Sequence, residues 1–293
     1  MPTELADPRY REIDRWPTET AVDAMLEAQL AAIAALKSQT GTIAAAIDAA
    51  AERLRGGGRL AYAGAGTSGR IGVQDGVELT PTFNWPSERL VFLLAGGTAA
   101  LLKTQEGAED DREAARAAVA AEALGPDDVL IGVAASGRTP FVIAALESAR
   151  AAGALTIALA NNPGAPVLDA AEHAILADTG SEVVAGSTRM KAGTAQKVTL
   201  NLISTGIMLR LGLVHHGLMV NMQVSNAKLH GRAVRMVARL AGTDEDRAEA
   251  ALAAAGRDIK RAVLVARGLS ADEAAARLAA AQGSLGAALD TLA

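Results

Sequence analysis

The chain has 293 residues, is half hydrophobic, has 2% aromatic residues and carries a formal net charge of −5. That balance argues against a general nucleic-acid binder, which needs basic surface and aromatic stacking platforms, and the absence of cysteine removes disulfides and cysteine-held metals. The length suffices for one large domain or for a main domain with a smaller companion.

Residues 1–17 read as an extended arm, polar and charged through Trp16-Pro17. It lacks the basic-then-apolar pattern of a signal peptide, so the expected address is the cytoplasm. Thr18 offers an N-cap for a helical stretch to about Arg55, with Gly56-Gly57-Gly58 as its stop. Short apolar runs then alternate with helical segments. The predicted strands are Arg59–Ala63, Leu90–Leu94, Val129–Ala134, Leu155–Ala160 and Ala174–Ala177. They are continuously apolar, as strands of a parallel sheet covered on both faces are. The fold class is therefore α/β with a parallel sheet and right-handed crossovers. From Ala192 to about Leu240 the pattern predicts long helix, broken near Gly212 and Gly217. Its most apolar part, Val198 to Val220, is interrupted by Asn201, Arg210, His215 and His216 and reads as buried helix rather than a membrane span. Residues 244–293 read as a small subdomain of about three helices, one opened by the capping box Ser270-Ala271-Asp272-Glu273. The expected organisation is an N-terminal helical segment (1–55), an α/β ligand-binding domain (56–240) and a C-terminal helical subdomain (241–293).

Three loops carry the chemistry. Gly64-Ala65-Gly66-Thr67-Ser68-Gly69-Arg70 and Ala135-Ser136-Gly137-Arg138-Thr139-Pro140 each follow a predicted strand, and Gly186-Ser187-Thr188-Arg189-Met190-Lys191 follows the fifth after a short connection. Glycines let the backbone approach an anion, hydroxyls donate to it, and free N–H groups at a helix start point at it. Thr67, Ser68, Ser136, Gly137, Thr139, Ser187 and Thr188 are the candidate phosphate ligands. No Walker-type Gly-Lys-Ser/Thr occurs. Gly64 to Gly69 formally fits a dinucleotide fingerprint, but the next predicted strand ends in Leu94-Ala95-Gly96 without an acidic residue. The pattern therefore points to a sugar phosphate. Arg70, Arg138, Arg189 and Lys191 are each a phosphate partner, a helix-surface charge or a carboxylate partner.

Glu78 lies about ten residues past the first loop, between Val77 and Leu79. Partial burial there would favour the neutral acid that a proton donor must be; the competing reading is a surface carboxylate. Glu109 lies in Glu106-Gly107-Ala108-Glu109-Asp110-Asp111, which is either a solvated acidic turn or the second member of an acid–base pair. The four histidines show no metal-ligand spacing.

Gly64–Arg70, Glu106–Asp110, Ala134–Pro140, Gly186–Lys197 and Asn226-Ala227-Lys228-Leu229 together resemble the N-acetylmuramic acid 6-phosphate etherases of the sugar-isomerase (SIS) superfamily. The resemblance runs from Thr3-Glu4 to near Leu289, and the Gly186–Lys197 block is its most specific part. It implies a three-layer αβα SIS domain and a lyase that releases D-lactate from the sugar phosphate in cell-wall sugar recycling. Elimination and hydration by two carboxylates need no metal or cofactor. The resemblance aligns Glu78 with the proton donor and Glu109 with the second carboxylate. Glu78-Leu79-Thr80-Pro81-Thr82-Phe83-Asn84 departs from the usual Glu-Cys-Pro-Pro-Thr-Phe-Gly, and Leu5-Ala6-Asp7-Pro8 departs from the commoner Arg-Asn before proline. Two alternatives stand beside the lyase: a sugar-phosphate-sensing regulator and an aldose–ketose phosphosugar isomerase. The resemblance also implies a homodimer, with no nucleic-acid or membrane partner. The apolar excess of Val198–Val220, Met222, Val224 and Leu229 points to the same interface, with the arm and Asn226–His230 reaching the partner's site.

Overall fold

A computed structural model describes residues 1–103 and 105–292. The arm is not extended. Pro2–Glu4, Pro8–Tyr10 and Ile13–Arg15 form single 3-10 turns. Proline fixes φ at the start of the first two, and the Asp7 carboxylate accepts the Arg9 N–H to cap the second. Hydrogen bonds from Arg9 hold that carboxyl well below the usual carboxylate range.

Two helices follow, α1 (Thr18–Ala35) and α2 (Thr40–Arg55), separated by a 3-10 turn at Leu36–Gln39. Thr18 is the first helical residue rather than the cap; Pro17 holds the cap position without a side-chain bond. By length and composition Thr18–Arg55 is apolar enough to cross a bilayer. The turn divides it, however, and α2 buries Ile43, Ala46, Ala50, Ala51 and Leu54 in packing against the sheet. Helix α1 instead leaves Val22, Leu26, Leu30 and Ile33 exposed.

Among the described residues the sheet has five parallel strands in the order β2-β1-β3-β4-β5: β1 Leu60–Gly64, β2 Leu90–Leu94, β3 Val129–Ala134, β4 Leu155–Ala160 and β5 His173–Leu176. The first and last are each displaced by one residue from their predicted positions. Successive side chains alternate between faces. Ala61, Ala63, Leu130 and Ala158 point to one face, where they share a core with α5 (Arg112–Ala121), α6 (Pro140–Ala151) and the short α7 (Pro166–Asp169). Tyr62 points to the other, where Gly72 and Gly76 of α3 (Gly66–Val77) lie against its ring. Gly206 of α8 (Lys191–Arg210) lies against Ile47 of α2. These are the three layers of the expected SIS architecture.

The chain divides into two compact units, Met1–Gly76 with Glu88–Gly206, and Val77–Ser87 with Ile207–Ala293. The second unit begins well before residue 241 because α9 (Ala227–Ala241) packs Val234, Val237 and Leu240 onto α10 (Glu245–Ala254) and α11 (Ile259–Ala266). It also takes in α4 (Leu79–Phe83), the short α12 (Ala271–Ala280) and α13 (Leu285–Asp290). Among the described residues, those beyond 244 thus form four helices where about three were expected, and the Ser270–Glu273 capping box is formed. The long helix expected from Ala192 stops at Arg210; Gly212 and Gly217 take φ of 72° and 74°, and Asn226 caps α9 by accepting the Leu229 N–H.

Candidate functional site

In the order β2-β1-β3-β4-β5 the direction of strand addition reverses between β1 and β3. Open parallel sheets collect ligands beyond the carboxyl ends of the strands at such a reversal. The first loop leaves β1 there, and the second leaves β3. The first closes tightly: a Cβ on Gly64 would lie 2.6 Å from the Gly69 Cα, so only glycines permit the turn. In the second, Gly137 has φ 66° and a Cβ there would fall onto that of Ala165. The Ser136 Oγ accepts the Arg138 N–H at 3.2 Å. Thr139 stands at the cap position of α6 and makes no capping side-chain bond, leaving that helix start open to an anion. The third loop meets the first at Gly193, whose N–H donates to the Thr188 carbonyl and where a Cβ would lie 3.6 Å from Thr67 Cγ2. The structure therefore gathers Thr67, Ser136, Gly137, Thr139, Ser187 and Thr188 at one end of the sheet, with Ser68 buried in the first turn of α3.

The third helix start differs from the sequence expectation. The fully buried Glu182 carboxylate accepts the N–H groups of Lys191 and Ala192 at 2.9 Å each, so the N-terminus of α8 is already occupied by a negative charge. The loop before it contributes hydroxyls, not a free helix start. Lys191 is buried and donates to the Ser181 carbonyl at 2.7 Å, and burial pulls its pKa below the usual lysine value. Arg70 donates to the carbonyls of Ala100 and Leu101 and anchors the loop after β2. Arg138 and Arg189 stay exposed.

Glu109 sits on a 3-10 turn, Ala108–Asp110. It lines a cavity of about 270 Å³ together with Ala65 and Gly66 of the first loop and with Arg70. Glu78 stands between α3 and α4, in the second unit, and is exposed; the partial burial expected for it is absent. After α4, Asn84 adopts a left-handed conformation (φ 52°), held by Gln223, whose amide donates to its side chain at 2.8 Å. One turn before Glu78, sequence reasoning missed Asp75. It is 2% exposed and accepts hydrogen bonds from Tyr62 (3.0 Å), Asn201 (2.6 Å) and Ser204 (3.2 Å). Burial raises its pKa above the ordinary value, and its hydrogen bonds oppose that shift. Among the described residues no group of three or more His, Cys, Asp or Glu side chains could hold a metal ion.

Family models for the glucokinase regulatory protein N-terminal SIS domain match residues 42–150, for the SIS domain residues 106–205, and for the glucokinase regulatory protein C-terminal lid domain residues 216–262. An N-acetylmuramic acid 6-phosphate etherase of Deinococcus radiodurans is 51% identical over 96% of this chain and 92% of its own length. Another, from Symbiobacterium thermophilum, is 50% identical over 86% of this chain and 84% of its own. This chain belongs to the N-acetylmuramic acid 6-phosphate etherase family. The lid-domain match falls within the second compact unit. A solved structure from Bacteroides fragilis, described as a candidate phosphosugar isomerase involved in capsule formation, is 18% identical with a TM-score of 0.51. It covers 69% of this chain and 95% of its own, a likeness of fold alone. The isomerase reading rests on that shared fold and the regulator reading on the two glucokinase regulatory protein models, whereas relatives matched across nearly the full length are etherases.

Proposed function

We infer that this etherase cleaves the D-lactyl ether of N-acetylmuramic acid 6-phosphate, giving N-acetylglucosamine 6-phosphate and D-lactate. The observation that carries the reading is the 51% identity across 96% of the chain. The chemistry follows from the ring-opened sugar, whose aldehyde acidifies the C2 proton. A base takes that proton, the C2–H electron pair forms the C2=C3 double bond, and the C3–O bond breaks toward lactate. An acid protonates the departing oxygen, and water then adds at C3 of the enal. Glu78 is the proposed donor and Glu109 the second carboxylate. What supports Glu109 is its place in the cavity beside the first loop. The hydroxyls of Thr67, Ser68, Ser136, Thr139, Ser187 and Thr188, with the Gly137 backbone and the open start of α6, are the proposed phosphate cradle.

Glu78→Gln keeps the shape and removes the proton. Turnover is expected to fall on the order of 100-fold or more, with the Michaelis constant little changed; near-normal turnover would remove Glu78 from the mechanism. In ¹⁸O-water the label should enter the sugar at C3 and not the lactate. Label in lactate would exclude the elimination route.

We also propose a cytoplasmic homodimer. Within the expected interface Val198–Val220, Leu200, Ile203, Ile207, Met208 and Val220 are buried inside the chain, while Leu202 (48%) and Leu209 (52%) stay exposed. The longer exposed apolar stripe lies on α1, where Val22 (54%), Leu26 (56%), Leu30 (59%) and Ile33 (39%) recur at helical spacing, and it is the proposed interface. Light scattering on the wild type and on Leu26→Glu/Leu30→Glu tests it: a dimer that becomes monomeric supports this interface, and a monomeric wild type excludes it.

A further inference from the structure

We propose that Thr3 is a positioning residue of the phosphate site, the pin by which the N-terminal arm sets the second loop against the third. The proposal rests on the reading of those loops as the phosphate cradle. Thr3 is fully buried, whereas Met1, Glu4 and Leu5 around it are exposed. Its backbone N–H donates to the Asn162 side-chain oxygen at 3.2 Å, and the Asn162 amide nitrogen donates back to the Thr3 hydroxyl at 2.9 Å. The second proton of that amide goes to the Ala135 carbonyl at 2.8 Å. The Asn162 amide thereby spends both donors, and its oxygen accepts as well. On its other side Thr3 offers its carbonyl to the Gly186 N–H at 3.1 Å.

Ala135 stands directly before Ser136, and Gly186 directly before Ser187. One buried residue therefore fixes the backbone immediately upstream of a proposed phosphate hydroxyl in each of two loops. Those loops leave β3 and β5, which are not neighbours in the sheet, so strand pairing alone does not set their spacing. A pin of this kind acts on the geometry of a preformed anion site. Its loss should weaken ground-state binding of the phosphate and leave the proton transfers alone.

The test compares Thr3→Val, which keeps the shape and removes the hydroxyl, with Thr3→Ser, which keeps the hydroxyl. Three quantities are read: the Michaelis constant and turnover for N-acetylmuramic acid 6-phosphate, and competitive inhibition by inorganic phosphate. Thr3→Val should raise the Michaelis constant and the phosphate inhibition constant together, by about tenfold, with turnover within about threefold of wild type, and Thr3→Ser should restore both constants. Ser136→Ala is the control for the cradle itself. If Ser136→Ala raises both constants and Thr3→Val raises neither, the pin fails and the cradle stands. If Ser136→Ala raises neither, the cradle fails and the pin with it. A lowered melting temperature with unchanged constants would reduce Thr3 to a structural residue and overturn the proposal. Should Thr3→Val not fold, deletion of Pro2–Leu5, which exposes Asn162 instead of orphaning it, carries the same expectations.

Discussion

Gly137→Ala probes the second loop most sharply. Gly137 has φ 66°, and an L-residue in that left-handed region costs ~1–2 kcal/mol. Its new Cβ would overlap that of Ala165 and come within 3.1 Å of that of Ala160, and overpacking of this sort costs ~1–3 kcal/mol. The loop has little freedom to move aside, because the Gly137 N–H donates to the Ala134 carbonyl at 2.9 Å and its own carbonyl accepts the Val167 N–H at 3.0 Å. The sum is ~2–5 kcal/mol, which at ~2–4 °C per kcal/mol for a domain of this size lowers the melting temperature by roughly 5–20 °C. Whatever strain the packing does not absorb must displace Ser136 and Thr139, so the Michaelis constant for the sugar phosphate should rise as well. Thermal unfolding and initial-rate kinetics on the purified variant read both. A melting temperature within about 2 °C of wild type, together with an unchanged Michaelis constant, would refute the close-packed geometry.

Two further outcomes follow from buried carboxylates. Glu182→Ala strips two backbone N–H partners from the start of α8 and should cost ~2–4 kcal/mol in urea unfolding; a loss below ~0.5 kcal/mol would deny the cap. Asp75 is held above its ordinary pKa of 3.8, chiefly by burial. Its contribution is therefore fully present below that value and is lost as pH rises through the folded-state pKa. Asp75→Asn can still accept from Asn201 and Ser204 while its amide faces Tyr62. The stability difference between wild type and variant should shift in favour of wild type as pH falls from 7 to 4, and a flat difference would contradict the raised pKa.

The strands were legible because each is a short, mostly apolar run, the pattern of a sheet buried on both sides; Val129–Ala134 and Leu155–Ala160 are buried at every position. The loops proposed to hold the phosphate were legible as tight turns because glycine and hydroxyl residues announce such turns locally. What escaped is what depends on distance in sequence. Thr3 meets a residue 159 positions away, and Asp75 one 126 positions away; no local pattern marks either. Glu182 caps a helix from nine residues upstream, outside the window in which capping is read. The break between α1 and α2 fell in an alanine-rich stretch with no proline and with only Gly41 nearby. The second unit's early start came from tertiary packing of the apolar face of α9, which a reading by linker composition passes over.

The central claim is tested most directly by incubating the purified chain with N-acetylmuramic acid 6-phosphate and assaying D-lactate, beside the same sugar without phosphate. D-lactate should appear with the phosphorylated sugar and be strongly diminished without the phosphate. No D-lactate from the phosphorylated sugar would contradict the etherase activity, and equal release from both sugars would contradict the phosphate cradle.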